Sequence, residues 1–181
     1  MTEHFLPMFP LKMVAFPGEQ VNLHIFEPRY KQLISECREL GRPFGIPPFL
    51  GGRIADFGTE MELEKVVREY PNGEMDIVTR GARVFHLKTF LKVAPGKLYG
   101  GGSVAILDTD DTPDTARVNE IADLFRRFHT LLNTGHARDD FHHRPNITYA
   151  IANEIGLSYE QRVQLLAVPR ESDRESVILD H

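Results

Sequence analysis

The sequence predicts an α+β protein in which a strand-rich part precedes a helical part. In the first part, apolar residues recur mostly at alternate positions, as they do over 21–25, which is typical of half-buried strands. After an acidic, threonine-containing stretch at 108–114, apolar residues recur at helical spacing instead. We therefore predict two subdomains, at 1–110 and 111–181.

Prolines and a turn mark the strands of the first subdomain. Prolines interrupt the short apolar segments at 5–9 and 13–16, which suits edge strands because proline cannot donate to a strand ladder. The sequence Pro71-Asn72-Gly73 supplies turn chemistry, so residues 61–79 are predicted to form a hairpin. A further strand is predicted at 85–88, where apolar and polar residues alternate.

Three successive glycines, Gly100-Gly101-Gly102, precede the last predicted strand of this subdomain. Neither a Lys-Ser/Thr pair nor the start of a helix follows them, so they do not have the context of a phosphate-binding loop. We expect a flexible hairpin or a bulge there.

One helix is predicted within the strand-rich part. Apolar residues from Tyr30 to Cys37 recur at i, i+3, i+4 and i+7, Pro28 suits the first helical turn, and Gly41 suits the end. Cys37 lies on this apolar stripe, so we expect an inert core residue. It is the single cysteine, and it cannot form an internal disulfide.

Four helices are predicted in the second subdomain. Apolar stripes at helical spacing predict two of them, at 118–132 and 146–155. Two capping-box patterns, beginning at Ser158 and Ser172, predict the starts of two more. We expect these helices to form a compact bundle.

Composition and charge exclude several classes of protein. With 41% hydrophobic and 26% charged residues, the chain is typical of a globular protein that buries a core. The formal net charge of −5 argues against tight nucleic-acid binding, which needs a clustered basic surface. The sequence contains no apolar stretch of about 18 residues and no signal-peptide pattern. We therefore expect a cytoplasmic protein without a membrane partner.

The segment 14–30 carries the most informative pattern in the chain. Two apolar segments flank Pro17-Gly18, and His24-Ile-Phe-Glu-Pro-Arg-Tyr30 leads from the second into the predicted helix. Pro43-Phe44-Gly45-Ile46 and Asp76-Ile-Val-Thr-Arg-Gly81 follow at matching distances. These motifs resemble the Lon substrate-binding domain, the amino-terminal module of Lon-type proteases that is also found in cereblon. The resemblance covers essentially the whole chain.

The resemblance implies a fold and a function. The implied fold is a PUA-like β-barrel subdomain with one helix, followed by a C-terminal helical bundle. The implied function is the binding of unfolded or degron-bearing polypeptides or of a protein partner, as an adaptor or regulator beside a separate protease or chaperone. Residues 47–57 depart from the family's usual continuation, which bears on the shape of any groove beside that strand.

The sequence lacks the parts that would make it a protease. It contains no Gly-x-x-x-x-Gly-Lys-Ser/Thr phosphate loop and no serine–lysine peptidase segment. No nucleophile, base and orienting group stand at a recognisable spacing either. We therefore predict a binding module that is not an enzyme and uses no cofactor.

A dense apolar run at 44–50 is the candidate binding surface, with six apolar side chains in seven positions. A run this dense cannot all point inward from one strand, so part of it should form an exposed patch of the kind that often marks a partner site. The alternative is a loop packed over the end of the barrel. Glu27 and Arg29, at the start of the helix, are either an architectural pair or a ligand-facing pair. The predicted substrate-binding residues are Phe44, Ile46, Phe49, Leu50 and Arg29.

Other functions stay open at this point. Histidines at 129, 136, 142 and 143 raise the idea of a metal site, but they lack a partner cysteine and a paired spacing, so we predict no metal. PUA-like barrels also occur in RNA-modifying enzymes, which makes a nucleic-acid-binding module the main alternative. A small-molecule sensor is the other, although the chain lacks the length and cysteines of cereblon's ligand-binding domain.

Overall fold

The computed structural model describes residues 3–131 and 146–181, and only the backbone of Phe128 and His129. Within these ranges the chain forms eight strands and five helices. The strands are β1 (Glu3–Met8), β2 (Gln20–Ile25), β3 (Phe44–Ile46), β4 (Phe49–Leu50), β5 (Arg53–Ile54), β6 (Phe57–Glu69), β7 (Met75–Leu87) and β8 (Gly100–Ile106). The helices are α1 (Pro28–Leu40), α2 (Thr115–Leu131), α3 (Ile147–Ala152), α4 (Tyr159–Leu166) and α5 (Glu171–Asp180). The chain divides into two compact units, Met1–Leu107 and Asp108–His181.

Six strands of the first unit form one mixed sheet in the order β2-β7-β6-β3-β1-β8, and β7 also pairs with β8. Only β1 and β3 run parallel, and the other pairs are antiparallel. The α+β prediction is thereby confirmed at the level of a mixed sheet with five helices. The closed barrel and the C-terminal bundle stay predictions.

The hairpin predicted at 61–79 is present but longer. Strands β6 and β7 are 13 residues each, and the turn is closed by a hydrogen bond from Gly73 N to Tyr70 O of 2.8 Å. The strand predicted separately at 85–88 is the end of β7, which pairs first with β2 and then, from Phe85 on, with β8. The strand stays extended through Gly81, where the register with β6 shifts between Glu60 and Met61.

Helix α1 forms as its apolar spacing predicts. Pro28 occupies the first turn, and Gly41 ends the helix in the left-handed conformation at φ 60°. Full burial of one Leu or Ile side chain stabilises a protein by about 1.5–3 kcal/mol. The buried face of α1 therefore fixes the helix in the same core cluster as β2, β3 and β7. That face consists of Tyr30, Leu33, Ile34 and Cys37.

The expectation that Cys37 is inert agrees with its surroundings. Its side chain lies in the core, and burial raises the pKa of the thiol to about 11. The thiol is therefore protonated at neutral pH, and a protonated thiol is a poor nucleophile.

The three glycines lie inside strand β8, so the expected flexible hairpin or bulge is wrong. A Cβ atom on Gly102 would lie 2.1 Å from the backbone oxygen of Thr89, and one on Gly101 would lie 2.2 Å from the Phe5 ring. The segment 89–92 runs antiparallel to β8 at this close approach, with hydrogen bonds between Leu91 and Gly101 in both directions. The glycines are needed here because they lack side chains, which leaves room for the segment 89–92 and for Phe5, and not because they are flexible.

The second unit contains α2 to α5. The capping box at Ser158 is confirmed: Ser158 Oγ accepts from Gln161 N, and the Gln161 side chain accepts from Ser158 N. The second box is wrong, because α5 begins at Glu171 and Ser172 already lies inside the helix. The fully buried carboxylate of Glu175 accepts instead from the backbone N–H of Asp114. Across the described ranges, none of the helices is both long and apolar enough to cross a membrane.

Candidate functional site

Two of the predicted site residues lie in the core. Phe44 and Ile46 are both 0% exposed and belong to the main apolar cluster of the first unit. The other face of β3 is closed as well, since a Cβ atom on Gly45 would lie 2.7 Å from Met8 Sδ. Side chains of the core thus cover both faces of β3, so Phe44 and Ile46 present no surface to a ligand.

The apolar run reaches the surface at Phe49. Pro47 and Pro48 are buried, whereas Phe49 is 44% exposed and Leu50 is partly buried. A hydrogen bond of 2.8 Å from Phe49 N to Leu11 O anchors the backbone at this point, and β4 then pairs with β5 through a Gly51-Gly52 turn. The expected exposed patch is therefore reduced to Phe49 and its surroundings.

Phe49 and Arg29 line the same cavity, which we call the Phe49 cavity. Its volume is about 330 Å³. Its apolar walls come from Met8, Pro10, Tyr30, Phe49, Ile54 and Phe90, and its polar lining comes from Arg29, Lys92 and Gly100. The fold thus brings together two predicted site residues that are separated by most of α1 and all of β3. Leu50 is not part of the lining.

Arg29 pairs with Glu27 and also lines the cavity. Its Nε donates to Glu27 Oε2 at 2.8 Å, which is the architectural pair. Its side chain is nevertheless 50% exposed and lines the cavity. The guanidinium carbon lies 4.6 Å from the centroid of the Tyr30 ring, and this contact restricts where the charge can lie.

Tyr30 gives the cavity a rigid and uncharged wall. Its ring stacks on that of Phe9 with 3.8 Å between the centroids. Burial raises the pKa of the Tyr30 phenol, so the hydroxyl is neutral at physiological pH. The permanent charges of the lining are therefore confined to Arg29 and Lys92.

The opposite wall comes from residues that the sequence reasoning missed, namely Phe90 and Lys92. They lie on the segment that runs antiparallel to β8, and the run at Gly100–Gly102 was the available signal for this close approach, because three glycines in a strand permit a second backbone to approach. Without the fold, nothing in the sequence relates this segment to Phe49.

Helix α1 also holds the chain that follows Lys92. The ammonium of Lys97 donates to both carboxylate oxygens of Glu36 at 2.8 Å, and Leu98 N donates to Gln32 Oε1 at 2.8 Å. Tyr99 Oη donates to Glu36 Oε2 at 2.6 Å. Because Arg29 lies at the start of the same helix, α1 positions the residues on both sides of the cavity.

The lining combines apolar side chains with two cations. It contains no histidine, cysteine, serine, threonine or carboxylate side chain. A nucleophile–base pair is therefore missing from the cavity, and apolar contact with a charged rim is what it can offer to a ligand.

Comparison with known proteins assigns the family. The family model described as the ATP-dependent protease La (LON) substrate-binding domain matches residues 5–181. The chain belongs to this family. The resemblance read from the motifs at 24–30 and 43–46 is thereby confirmed. Among curated proteins, no match is found.

Solved structures support the same fold. The chain is similar to a Lon N-terminal domain protein from Xanthomonas campestris, with 27% sequence identity, a TM-score of 0.77 and 98% of each chain covered. It is also similar to the N-terminal domain of the Mycobacterium avium complex Lon protease, with 17% identity, a TM-score of 0.77, and 98% of this chain and 97% of that chain covered. The mixed sheet with five helices is thus the fold of Lon N-terminal domains.

A histidine–carboxylate cluster lies elsewhere in this Lon substrate-binding domain. His24 Nδ1 lies 2.7 Å from Asp76 Oδ1, His24 Nε2 lies 3.3 Å from Glu74, and Tyr70 Oη donates to Asp76. The hydrogen bond to Asp76 raises the pKa of His24, and the same bond lowers the pKa of Asp76. No nucleophile is part of the cluster, which ties β2 to the start of β7.

Within 3–131 and 146–181, no group of three or more His, Cys, Asp or Glu residues is placed to hold a metal ion. The histidines at 136, 142 and 143 lie outside the described residues, as does the side chain of His129. The idea of a histidine metal site is therefore not tested.

Two other cavities contain none of the predicted site residues. One, of about 470 Å³, lies between the end of α1 and β6, and its Arg38 and Arg42 already pair with Glu69 and Glu36. The other, of about 370 Å³, lies among α2, α3 and α5. The Phe49 cavity is the one that combines predicted residues, apolar walls and available charge.

Proposed function

We propose that this protein binds polypeptide substrates, or a protein partner, through the Phe49 cavity and acts in proteolysis as a module without catalytic activity of its own. One observation carries the proposal. In a chain of the Lon substrate-binding domain family, a half-exposed phenylalanine stands beside a cavity with five further apolar lining residues. Phe44 and Ile46 are left out of this proposal because they are buried.

The proposed ligand is an apolar segment that a folded protein would hide. Removing apolar surface from water is favourable by roughly 25 cal/mol per Å², so an exposed aromatic or aliphatic side chain gains by entering the cavity. At about 330 Å³ the cavity lies at the lower end of the range of ligand sites. It therefore accepts one or two side chains, and we expect micromolar affinity rather than tight binding.

This chemistry selects unfolded or degron-bearing polypeptides, because their apolar side chains are accessible. In this proposal the protein acts as an adaptor or regulator, and a protease or chaperone processes the polypeptide that it binds. The single, unpaired cysteine favours a reducing compartment such as the cytoplasm for this role.

The proposal is tested with an uncharged fluorescent peptide that has a Leu-Phe-Leu centre and Gly/Ser flanks. Fluorescence anisotropy gives its affinity for the wild-type protein, for Phe49→Ser and for Phe26→Ser. Phe26 is a matched control, since it is also an exposed phenylalanine of the first unit but lies outside the cavity lining. We expect Phe49→Ser to weaken binding about tenfold and Phe26→Ser to leave it unchanged.

Thermal unfolding separates binding from stability in the same variants. The proposal requires that Phe49→Ser lose affinity with a melting temperature close to that of the wild type. Equal affinities for Phe49→Ser and the wild type would contradict it, and so would the absence of binding at several hundred micromolar protein, a concentration well above the expected dissociation constant.

A further inference from the structure

We propose that the Phe49 cavity selects apolar segments that carry an acidic side chain, Asp or Glu, next to the apolar anchor. The inference rests on the proposed function and specifies its substrate class.

The charge of the lining is opposite to that of the whole chain. The protein has 26 acidic and 21 basic residues, giving a formal net charge of −5. The cavity lining nevertheless contains two cations, Arg29 and Lys92, and no carboxylate. Glu27, outside the lining, pairs with Arg29 and compensates its charge. One positive charge is therefore left without an internal partner at the rim.

Lys92 is the freer of the two cations. It is exposed, and its ammonium makes no hydrogen bond or ion pair with any residue that the structure describes. Its backbone is held in place, because the preceding residue pairs with Gly101 and the following chain is tied to α1 through Lys97 and Glu36. A fixed backbone with a free ammonium is well suited to meet a carboxylate at the rim.

Arg29 keeps donors for a second carboxylate. Its contacts with Glu27 use Nε and Nη2, at 2.8 and 2.7 Å. A guanidinium has five N–H donors, so the Nη1 edge stays available after the pair with Glu27 has formed. Contact with the Tyr30 ring keeps the group at the cavity wall, where it can reach a ligand whose side chain occupies the apolar interior.

The acidic surface of the whole protein does not cancel this preference. At physiological ionic strength, charges in water are largely screened beyond about 8 Å. A carboxylate beside the cavity is therefore governed by Arg29 and Lys92 more than by distant acidic residues. Since exposed ion pairs are individually weak, we expect a preference of about three- to tenfold over a neutral isostere, and it should shrink at high salt.

The test compares two peptides that differ only in charge. Both are acetylated, amidated and fluorescently labelled with a Leu-Phe centre; one has flanking Asp and Glu, and the other has Asn and Gln. Their affinities are measured for the wild type, Lys92→Gln, Arg29→Gln and the control Lys65→Gln, which removes an exposed charge outside this cavity. We expect the acidic peptide to bind the wild type and Lys65→Gln three- to tenfold more tightly than the Asn/Gln peptide does. In Lys92→Gln the ratio of the two affinities should approach one.

Charge reversal provides a second readout that does not depend on Arg29. The Lys92→Glu variant should prefer a peptide with flanking lysines over the acidic one. Equal binding of the acidic and amide peptides to the wild type, or a ratio that persists in both Lys92→Gln and Arg29→Gln, would overturn the inference. A third peptide, with flanking Asn and Gln and a free C-terminal carboxylate, gives a further check. The inference would also be overturned if this peptide bound more tightly than its amidated form while flanking Asp and Glu had no effect.

The two proposals fail in different ways. If the Asn/Gln peptide binds the wild type but not Phe49→Ser, the proposed function stands even when the acidic peptide does not bind more tightly. If neither peptide binds, the proposed function fails and the charge preference fails with it.

Discussion

The two units of this protein contain the same three-part contact, exposed in one unit and buried in the other. In the first unit, Arg29 pairs with Glu27 and lies 4.6 Å from the centroid of the Tyr30 ring. In the second, Arg174 pairs with Glu171 and lies 4.5 Å from the centroid of the Tyr149 ring. The Arg29 side chain is 50% exposed, whereas that of Arg174 is 0% exposed.

The difference lies in what the remaining donors do. Arg174 donates to Thr148, Asp111, Asn146 and the backbone oxygens of Val168 and Pro169, so its hydrogen-bonding capacity is used within the unit. Arg29 has no such additional partners among the described residues, and it lines a cavity. An arginine–carboxylate–tyrosine contact therefore does not identify a binding site by itself. Burial and the number of unused donors distinguish a structural arginine from one that can meet a ligand.

The largest effect is expected when the structural arginine is removed. Arg174→Met leaves Glu171, which is fully buried, without its cation, and breaking a buried pair in this way costs about 3–5 kcal/mol. Arg29→Met is the matched variant, and loss of its exposed pair costs about 1 kcal/mol or less. Urea unfolding gives the two free energies, and hydrogen exchange of α5 locates the loss in the second unit. Similar losses in the two variants would remove the contrast between the units.

An intermediate effect is expected where the segment 89–92 packs against the glycines of β8. In Gly102→Ala, the new methyl group meets the backbone oxygen of Thr89, which cannot move without displacing the segment that carries Phe90 and Lys92. Overpacking of this kind costs about 1–3 kcal/mol, and we also expect weaker peptide binding.

Gly101→Ala is the matched control for this prediction. Its methyl group meets the ring of Phe5, an exposed side chain that can rotate away. Thermal unfolding and peptide anisotropy should therefore show a smaller change in Gly101→Ala. If Gly102→Ala retains both the stability and the affinity of the wild type, the contact between the segment 89–92 and β8 does not shape the cavity.

The smallest effect is a pH dependence of opposite sign in the two units. In the first, the hydrogen bond from Lys97 lowers the pKa of Glu36. The folded state then binds the proton less readily than the unfolded state. The stability that Glu36 contributes is therefore present above its unfolded pKa of about 4.3 and is lost as pH falls through the lowered value.

In the second unit, burial raises the pKa of Glu175. The folded state retains this proton to higher pH than the unfolded state. Its contribution to stability is therefore fully present below the unfolded pKa of about 4.3 and is lost as pH rises through the raised value. Unfolding curves of Glu36→Gln and Glu175→Gln between about pH 3 and 7 measure both effects. The differences from the wild type should have opposite pH slopes, and slopes of the same sign would contradict the assignment.

Local patterns in the sequence predicted the elements whose signals are local. The spacing from Tyr30 to Cys37, together with Pro28 and Gly41, predicted α1 because a helix is set by residues within a few turns of one another. The capping box at Ser158 predicted α4 for the same reason. The failure at Ser172 shows the limit, since Glu175 accepts a hydrogen bond from Asp114 N, far away in the chain, and not from the start of its own helix.

The sequence by itself determined the family, the α+β class, the principal helix of the first unit and the candidacy of Arg29 and Phe49. Only the tertiary structure decided that Phe44 and Ile46 are buried and that the other face of β3 is closed at Gly45. It also decided that Arg29 and Phe49 share one cavity and that Lys92 lies there with them. The physical reason is that periodicity and turn chemistry act over a few residues. Contacts between residues that are far apart in the chain decide which side chains are buried and which donors stay unused. They also decide that the segment 89–92 lies beside β8.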